Sequence, residues 1–451
     1  MFLRLFDLRA IGSHAATIWV GQLAVMAFAI TDTLVAGRFA PEALAALSVG
    51  TAIYISIYVG LQGFVQALLP IWAQLHGAGK PLRLGYSVRQ SLHVTAVCAV
   101  LGMAVLLQGG PIMRLVGVPA ALQPVVSDYL AIQALTLPLA LLARVFNTFS
   151  QSIGRPQWVT GLQAGGLLLK IPLSIWFTFG GLGVPAMGLP GCALATFITH
   201  VVLLALMGLL LRRDRSYRPY QVWQRIERPD WAELRSFVHL GLPSSIAIWV
   251  EVTAFTMMSL LVAPMGTTAA AAQQIASNLA AVLFMWPLSL AIATSARVSY
   301  WRGARQPDNA VQALRSGLLV AATSAALAAL LLALLREPLA RLYVQQASVA
   351  GLAASLLLLV ALYHLADAMQ VMALFLLRCY HVVTAPTAIY TVLLWGIGIG
   401  VGYLLAYGHL PLARGWAGPQ AFWGMSALAM GLVAAVFLLL LRRVAKAEQA
   451  D

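Results

Sequence analysis

Charge is what this chain has least of. Asp, Glu, Lys and Arg make up 9% of its 451 residues, where a soluble domain carries about 25%, and that excludes an ordinary globular fold in water. Acid is scarcest, with 14 residues against 28 basic ones, of which only three are Lys. The resulting net charge of +14 does not point to nucleic acid, because the basic residues stand in short stretches between apolar runs and not on one solvated face. Cysteine is equally sparse. Cys98, Cys192 and Cys379 fall in or beside apolar runs with no CxxC, so neither a disulfide framework nor a thiolate metal site is indicated and packing is their reading. The eight histidines are never closer than 17 residues apart, which excludes a metal-binding pair on one helix. Gly396-Ile397-Gly398-Ile399-Gly400 lacks the Lys-Ser or Lys-Thr of a phosphate loop and lies inside an apolar run, so ATP-driven work by this chain alone finds no support.

What the chain does have is apolar residue, 61% of the total, too much for helices that keep one face toward water. An all-α polytopic membrane protein follows. Apolar runs bounded by Gly, Pro and charge give spans near 11–36, 43–72, 88–109, 120–147, 158–180 and 187–211, then near 236–262, 270–297, 312–335, 346–377, 384–407 and 420–441. The chain is thus read as an N-lobe over 1–211, a polar linker over 212–235 and a C-lobe over 236–451, each lobe a six-helix bundle. The first run continues past signal-peptide length and is expected to stay in the protein.

Placing the N-terminus inside puts 21 of the 28 basic residues on the cytoplasmic side, from Arg4 and Arg9 to Arg442, Arg443 and Lys446. Only Arg38, Arg114, Arg336, Arg341 and Arg414 fall outside, while Arg144 and Lys170 lie at membrane depth. Both termini are therefore expected in the cytoplasm. Arg-for-Lys usage with abundant Ala and Leu suggests a GC-rich bacterial genome, hence the bacterial inner membrane. The halves also repeat at an offset of about 226, since Gly77-Ala78-Gly79-Lys80-Pro81 returns as Gly303-Ala304-Arg305-Gln306-Pro307. Six is even, so both copies enter from the same side and form a parallel repeat, with a cavity expected between the bundles. Coincidence among Ala-rich segments is the competing explanation.

Three acids lie well inside apolar runs: Asp32, Glu251 and Asp367. A carboxylate near the bilayer centre costs roughly 2.5–3.5 kcal/mol on the insertion scale, so such residues mark cavities and ion pathways. Asp32 has a competing reading as a snorkelling residue near Arg38. Glu251 has no basic neighbour within ten residues, which leaves a protonated, hydrogen-bonded Glu as its alternative. Asp367 stands four residues after Tyr363, on one helical face, where the phenol can donate to it; a purely structural Asp is the alternative there. Gln273, Gln274 and Asn278 on the eighth span are supporting or substrate-cleft candidates, with interhelical packing an equal reading. Lys170 belongs with these candidates. It lies about 12 residues into its span, roughly 18 Å at 1.5 Å per residue, too deep to snorkel easily, and Asp32 is the acid placed well inside the same lobe. A direct or water-bridged Lys170–Asp32 contact is expected, with the ammonium standing where a coupling ion would.

Thr31-Asp32-Thr33-Leu34-Val35-Ala36-Gly37-Arg38, Gln74 with Gly77-Ala78-Gly79, Glu251-Val252-Thr253 followed by Ala263-Pro264-Met265-Gly266, Gln274-Ile275 with Asn278, and Asp367-Ala368-Met369-Gln370-Val371 together resemble the multidrug and toxic compound extrusion (MATE) family, NorM-like branch, over essentially the whole chain. The resemblance implies twelve helices in two lobes and export of cationic or amphipathic drugs by antiport. It implies ion coupling at the positions of Asp32, Glu251, Asp367 and Tyr363, with sodium, where that is the coupling ion, at Glu251 and Asp367. Three departures are visible: family members often have His where this chain has Gln273, and Asn where it has Lys170 and Ser174. No cofactor beyond the coupling proton or sodium ion is expected; the partners are the drugs and the lipid bilayer, without nucleic acid, and the chain is expected to be a monomer. Two alternatives stand beside this one. A flippase for lipid-linked precursors needs several basic residues for pyrophosphate, and only Arg144 and Lys170 qualify. An integral membrane enzyme needs metal or acidic motifs that the chain lacks, so no enzymatic activity is expected.

Overall fold

The computed structural model describes residues 5–116, 118–181, 183–409 and 418–450. Arg4 and Arg414, both counted in the charge asymmetry, lie outside the described residues. Helices occupy nearly all the rest: α1 (Leu5–Phe39), α2 (Pro41–Gln66), α3 (Leu69–Gly77), α4 (Pro81–Leu107), α5 (Gly109–Val116), α6 (Gln123–Ser152), α7 (Pro156–Phe179) and α8 (Leu189–Arg213). There follow α9 (Trp231–Val262), α10 (Thr267–Gly303), α11 (Pro307–Tyr343), α12 (Ala347–Cys379), α13 (Thr384–Leu393), α14 (Gly402–Ala406) and α15 (Pro419–Ala450). Twelve helical segments among the described residues are long and apolar enough to cross a membrane, in the order and close to the bounds expected from the apolar runs.

Proline sets many of the starts. Pro41, Pro81, Pro156, Pro307 and Pro419 each occupy the first helical position, where the missing N–H is not needed and the fixed φ favours the helix. Pro138, Pro172, Pro243 and Pro287 instead sit inside helices, where each removes one backbone hydrogen bond. Two spans are broken in ways the apolar runs do not reveal. The second divides between α2 and α3 just before Pro70, whose ring cannot continue the ladder from Gln66. The eleventh winds as a π-helix over Leu394–Val401 between α13 and α14, in the segment containing Gly396, Gly398 and Gly400, where the wider turn is tolerated.

The halves share more than spacing. Gly79, just after α3, has φ +67°, and Arg305, at the matching place after α10, has φ +56°. Gly154 after α6 (φ +72°) and His381 after α12 (φ +60°) are a second such pair. The chain forms two compact units, one of Thr17–Ser245 and the other of Met1–Ala16 with Ile246–Asp451.

The polar linker is tied down on the first of these units. Arg89 of α4 donates from Nε to both carboxylate oxygens of Glu227 (3.0 and 2.9 Å) and from Nη1 to the Gln221 carbonyl (2.7 Å). Gln90 bonds the Arg228 carbonyl and the Asp230 amide, and Tyr86 donates to Asp230 Oδ2 at 3.0 Å. Asp230 in turn caps α9 by accepting from the Ala232 and Glu233 amides. Gly85 permits the close approach, since a Cβ there would overlap the Tyr220 carbonyl oxygen. Arg89 holds the Glu227 carboxyl below its ordinary range by hydrogen bonding, and the Glu233 amide and Tyr86 hydroxyl do the same for Asp230.

Candidate functional site

In the Thr17–Ser245 unit the expected contact is present. Lys170 Nζ, on α7, donates to Asp32 Oδ2 of α1 at 2.7 Å and to Thr196 Oγ1 of α8 at 2.8 Å. Thr196 passes its own proton one turn back to the Cys192 carbonyl, which leaves its oxygen free to accept. The ring of Phe28, one turn before Asp32, lies 5.3 Å from the ammonium, within cation–π range. Lys170 is 2% exposed and Asp32 8%, so Asp32 does not snorkel toward Arg38; the charge that makes its burial tolerable sits on another helix. The Ser174 hydroxyl, also on α7, lies against the Asp32 carboxylate as a further donor. Chemically the pair is a buried anion already holding a cation.

The other unit gathers Glu251 of α9, Tyr363 and Asp367 of α12, and Tyr390 of α13. The charges of Glu251 and Asp367 act on one another and on both phenols. Asp367 is 3% exposed, Glu251 is half-buried, and Trp395 Nε1 fixes the α9 backbone beside it by donating to the Val250 carbonyl at 3.4 Å. The hydrogen bond expected from Tyr363 to Asp367 is not made: Tyr363 OH and Asp367 Oδ1 lack partners, while the Tyr390 hydroxyl is turned to the Glu251 carboxylate and donates to it. The reason is the ring. Tyr363 stands edge-to-face with Phe255 (5.9 Å, 87°) and Trp423 (5.5 Å, 88°), which hold it by its faces and edges whatever its hydroxyl could reach. Carboxylate and phenol oxygens in one buried place can bind a proton or a small cation. Among the described residues no group of three or more His, Cys, Asp and Glu could hold a metal ion, so a sodium ion here would rely on two carboxylates with neutral oxygens.

The three polar residues of α10 do not share a face. Gln273 is buried, accepting from Trp423 Nε1 at 2.7 Å and donating to Met258 Sδ and Ser277 Oγ. Gln274 and Asn278 are exposed and bond each other at 3.2 Å. Tyr390, Trp423 and Arg378 are the site residues that sequence reasoning missed. Arg378 was counted with the cytoplasmic charges, yet it is 1% exposed, its guanidinium stacks 4.4 Å from Phe375, none of its nitrogens has a hydrogen-bond partner, and Glu251 feels its charge. The absence of a basic neighbour along the sequence thus hid a cation supplied by α12.

Twelve apolar helices with carboxylates held inside both units define a membrane transporter. The chain belongs to the MatE family, whose model matches residues 18–176 and 243–404, two segments standing at nearly the offset of the internal repeat. It is 33% identical over 436 residues to a probable multidrug resistance protein NorM of Aromatoleum aromaticum, covering 97% of this chain and 94% of that one. To the multidrug resistance protein MdtK of Pectobacterium atrosepticum it is 33% identical over 441 residues, covering 97% and 95%. The fold matches a MATE crystal structure in the straight conformation with a TM-score of 0.87 at 18% identity, over 99% of this chain and 97% of that one. The eukaryotic MATE transporter AtDTX14 matches with a TM-score of 0.86 at 17% identity over 99% of both chains.

Proposed function

We propose that this chain exports cationic or amphipathic compounds across the bacterial inner membrane, both termini cytoplasmic, by antiport with protons or sodium ions through alternating access. The observation that carries this reading is the pair Glu251 and Asp367, two carboxylates at membrane depth whose charges interact, with the Tyr390 phenol on Glu251 and the Tyr363 phenol beside them unpartnered. A carboxylate that must lose its proton or sodium ion before it attracts a cationic drug makes ion and drug compete, and competition is what lets the ion gradient do work. Each ligand shifts the inward-open and outward-open states only by its difference in affinity for them. The multidrug resistance names of the relatives support drugs as cargo. Asp32 is left out of the exchange, because Lys170 already neutralises it. The same pairing weakens the flippase reading, since a diphosphate would find Lys170 committed.

The test is dye efflux from vesicles with pH and sodium gradients imposed separately. Glu251→Gln and Asp367→Asn should each abolish gradient-driven efflux while leaving the protein folded by size-exclusion profile. Normal pumping by both variants would remove the assignment.

A further inference from the structure

Within the Thr17–Ser245 unit, α6 carries Arg144, Asn147, Thr148 and Gln151 at positions i, i+3, i+4 and i+7, a polar stripe along one face of the helix. Gln62 and Gln66, one turn apart on the packed helix α2, face it. Arg144 donates from Nη2 to Gln62 Oε1 and from Nη1 to Gln66 Oε1 (3.3 Å), and Gln66 donates on to Gln151 (3.5 Å). Arg144 lies eight residues before the end of α6, about 12 Å along the helix, which is deep for a charge. Other arginines and the buried lysine have acids: Arg83 has Glu233, Arg89 has Glu227, Arg302 has Glu448 and Lys170 has Asp32. Among the described residues Arg144 has no acidic partner. Its Nε is buried without a partner, as are Asn147 Oδ1 and Thr148 Oγ1 on the same stripe.

We propose that Arg144, framed by Gln62, Gln66 and Asn147, binds a carboxylate carried by the transported compound, so that amphipathic zwitterions are favoured cargo. The inference rests on the export reading above and adds a substrate class to it. One uncompensated guanidinium matches a monoanion in charge and in its planar two-donor geometry, and a diphosphate would bring more negative charge than the seam can neutralise. The amide oxygens now on Arg144 are neutral acceptors, and a carboxylate displaces them because charge-assisted bonds are roughly twice as strong. The freed glutamine amides can then donate to the same anion, and Arg144 is only half-buried, so its outer edge is open to approach.

The experiment compares rhodamine B with its ethyl ester, two dyes differing in one carboxylate, for equilibrium binding to and efflux by the full chain in proteoliposomes. Replacing Arg144 by Gln should lower the acid-to-ester affinity ratio by about tenfold to a hundredfold. Gln66→Glu, which gives the guanidinium a resident anion, should collapse the ratio in the same way if Arg144→Gln fails to fold. A ratio indifferent to either variant, or an equal loss for acid and ester, overturns the proposal and makes Arg144 a packing residue. Efflux of the ester, which lacks the carboxylate, reads the export function alone: if wild-type protein binds but never moves it under either gradient, export is what fails, and the binding ratio still decides Arg144.

Discussion

Removing Lys170 strands Asp32, and the structure says by how much more than the reverse change. With Lys170→Met, which keeps most of the stem's volume, Asp32 loses its charged donor at Oδ2 and keeps only the neutral Ser174 hydroxyl. A buried carboxylate without its counter-ion places this variant in the range of about 3–5 kcal/mol found for breaking buried pairs. With Asp32→Asn the ammonium keeps Thr196 Oγ1 at 2.8 Å and the Phe28 face at 5.3 Å. A desolvated cation–π contact alone is worth about 2 kcal/mol, so this variant should cost less. The double variant has no charge to strand, and its loss should fall short of the summed single losses by about 3 kcal/mol. Equilibrium unfolding of the four proteins in mixed micelles, read by tryptophan fluorescence, measures the cycle. Single losses that add to within about 0.5 kcal/mol, or a double variant worse than their sum, would refute the argument, and so would Asp32→Asn being the more damaging single change.

The docked segment 221–230 should be pH-sensitive, because the lowered pKa values of Glu227 and Asp230 make docking complete above the ordinary carboxylate range of about 4 and weaken it as pH falls through the lowered values. Hydrogen exchange of its amides, corrected for intrinsic rate, should lose protection on acidification and lose less of it in Arg89→Gln; flat protection down to pH 3 would contradict this. Gly85→Ala should displace the same segment at neutral pH, seen as trypsin cleavage after Arg225 that wild type resists. For topology, single cysteines at Gln221 and Thr267 in a cysteine-free chain should label from opposite faces of the membrane; same-side labelling would remove the assigned orientation.

What could be read in the sequence was whatever depends on composition over a length. Twenty apolar residues are needed to cross a bilayer, so the spans announce themselves, and a charge inside one is visible because it is expensive. Lys170 and Asp32 could be paired on that ground alone, as two costly charges of opposite sign in one lobe. Orientation within a helix is another matter. The four-residue spacing of Tyr363 and Asp367 shows a shared face but not a rotamer, and Phe255 with Trp423 decides where the Tyr363 ring stands. Tyr390 and Trp423 carried no signal, since aromatic residues are ordinary in apolar runs. The burial of Arg378 carried no signal because it closes its helix, and a charge at a helix end reads as interfacial until tertiary packing covers it.

The two lobes hold their acids in chemically different states, and that difference bears on where an ion can act. A cation entering beside Asp32 must displace the Lys170 ammonium, breaking bonds of 2.7 and 2.8 Å in a buried place. The affinity it gains is reduced by what it breaks. A cation entering beside Glu251 and Asp367 meets an Asp367 oxygen and the Tyr363 phenol oxygen with no bonds to break, displaces no resident cation, and relieves the repulsion between the acids. Since a ligand drives a conformational change only through differential affinity, the proposed coupling belongs with Glu251 and Asp367. The resident ammonium gives the first-lobe acid a structural role in this reading, and Arg144, an arginine at membrane depth with no acidic partner among the described residues, carries the proposed selection of cargo.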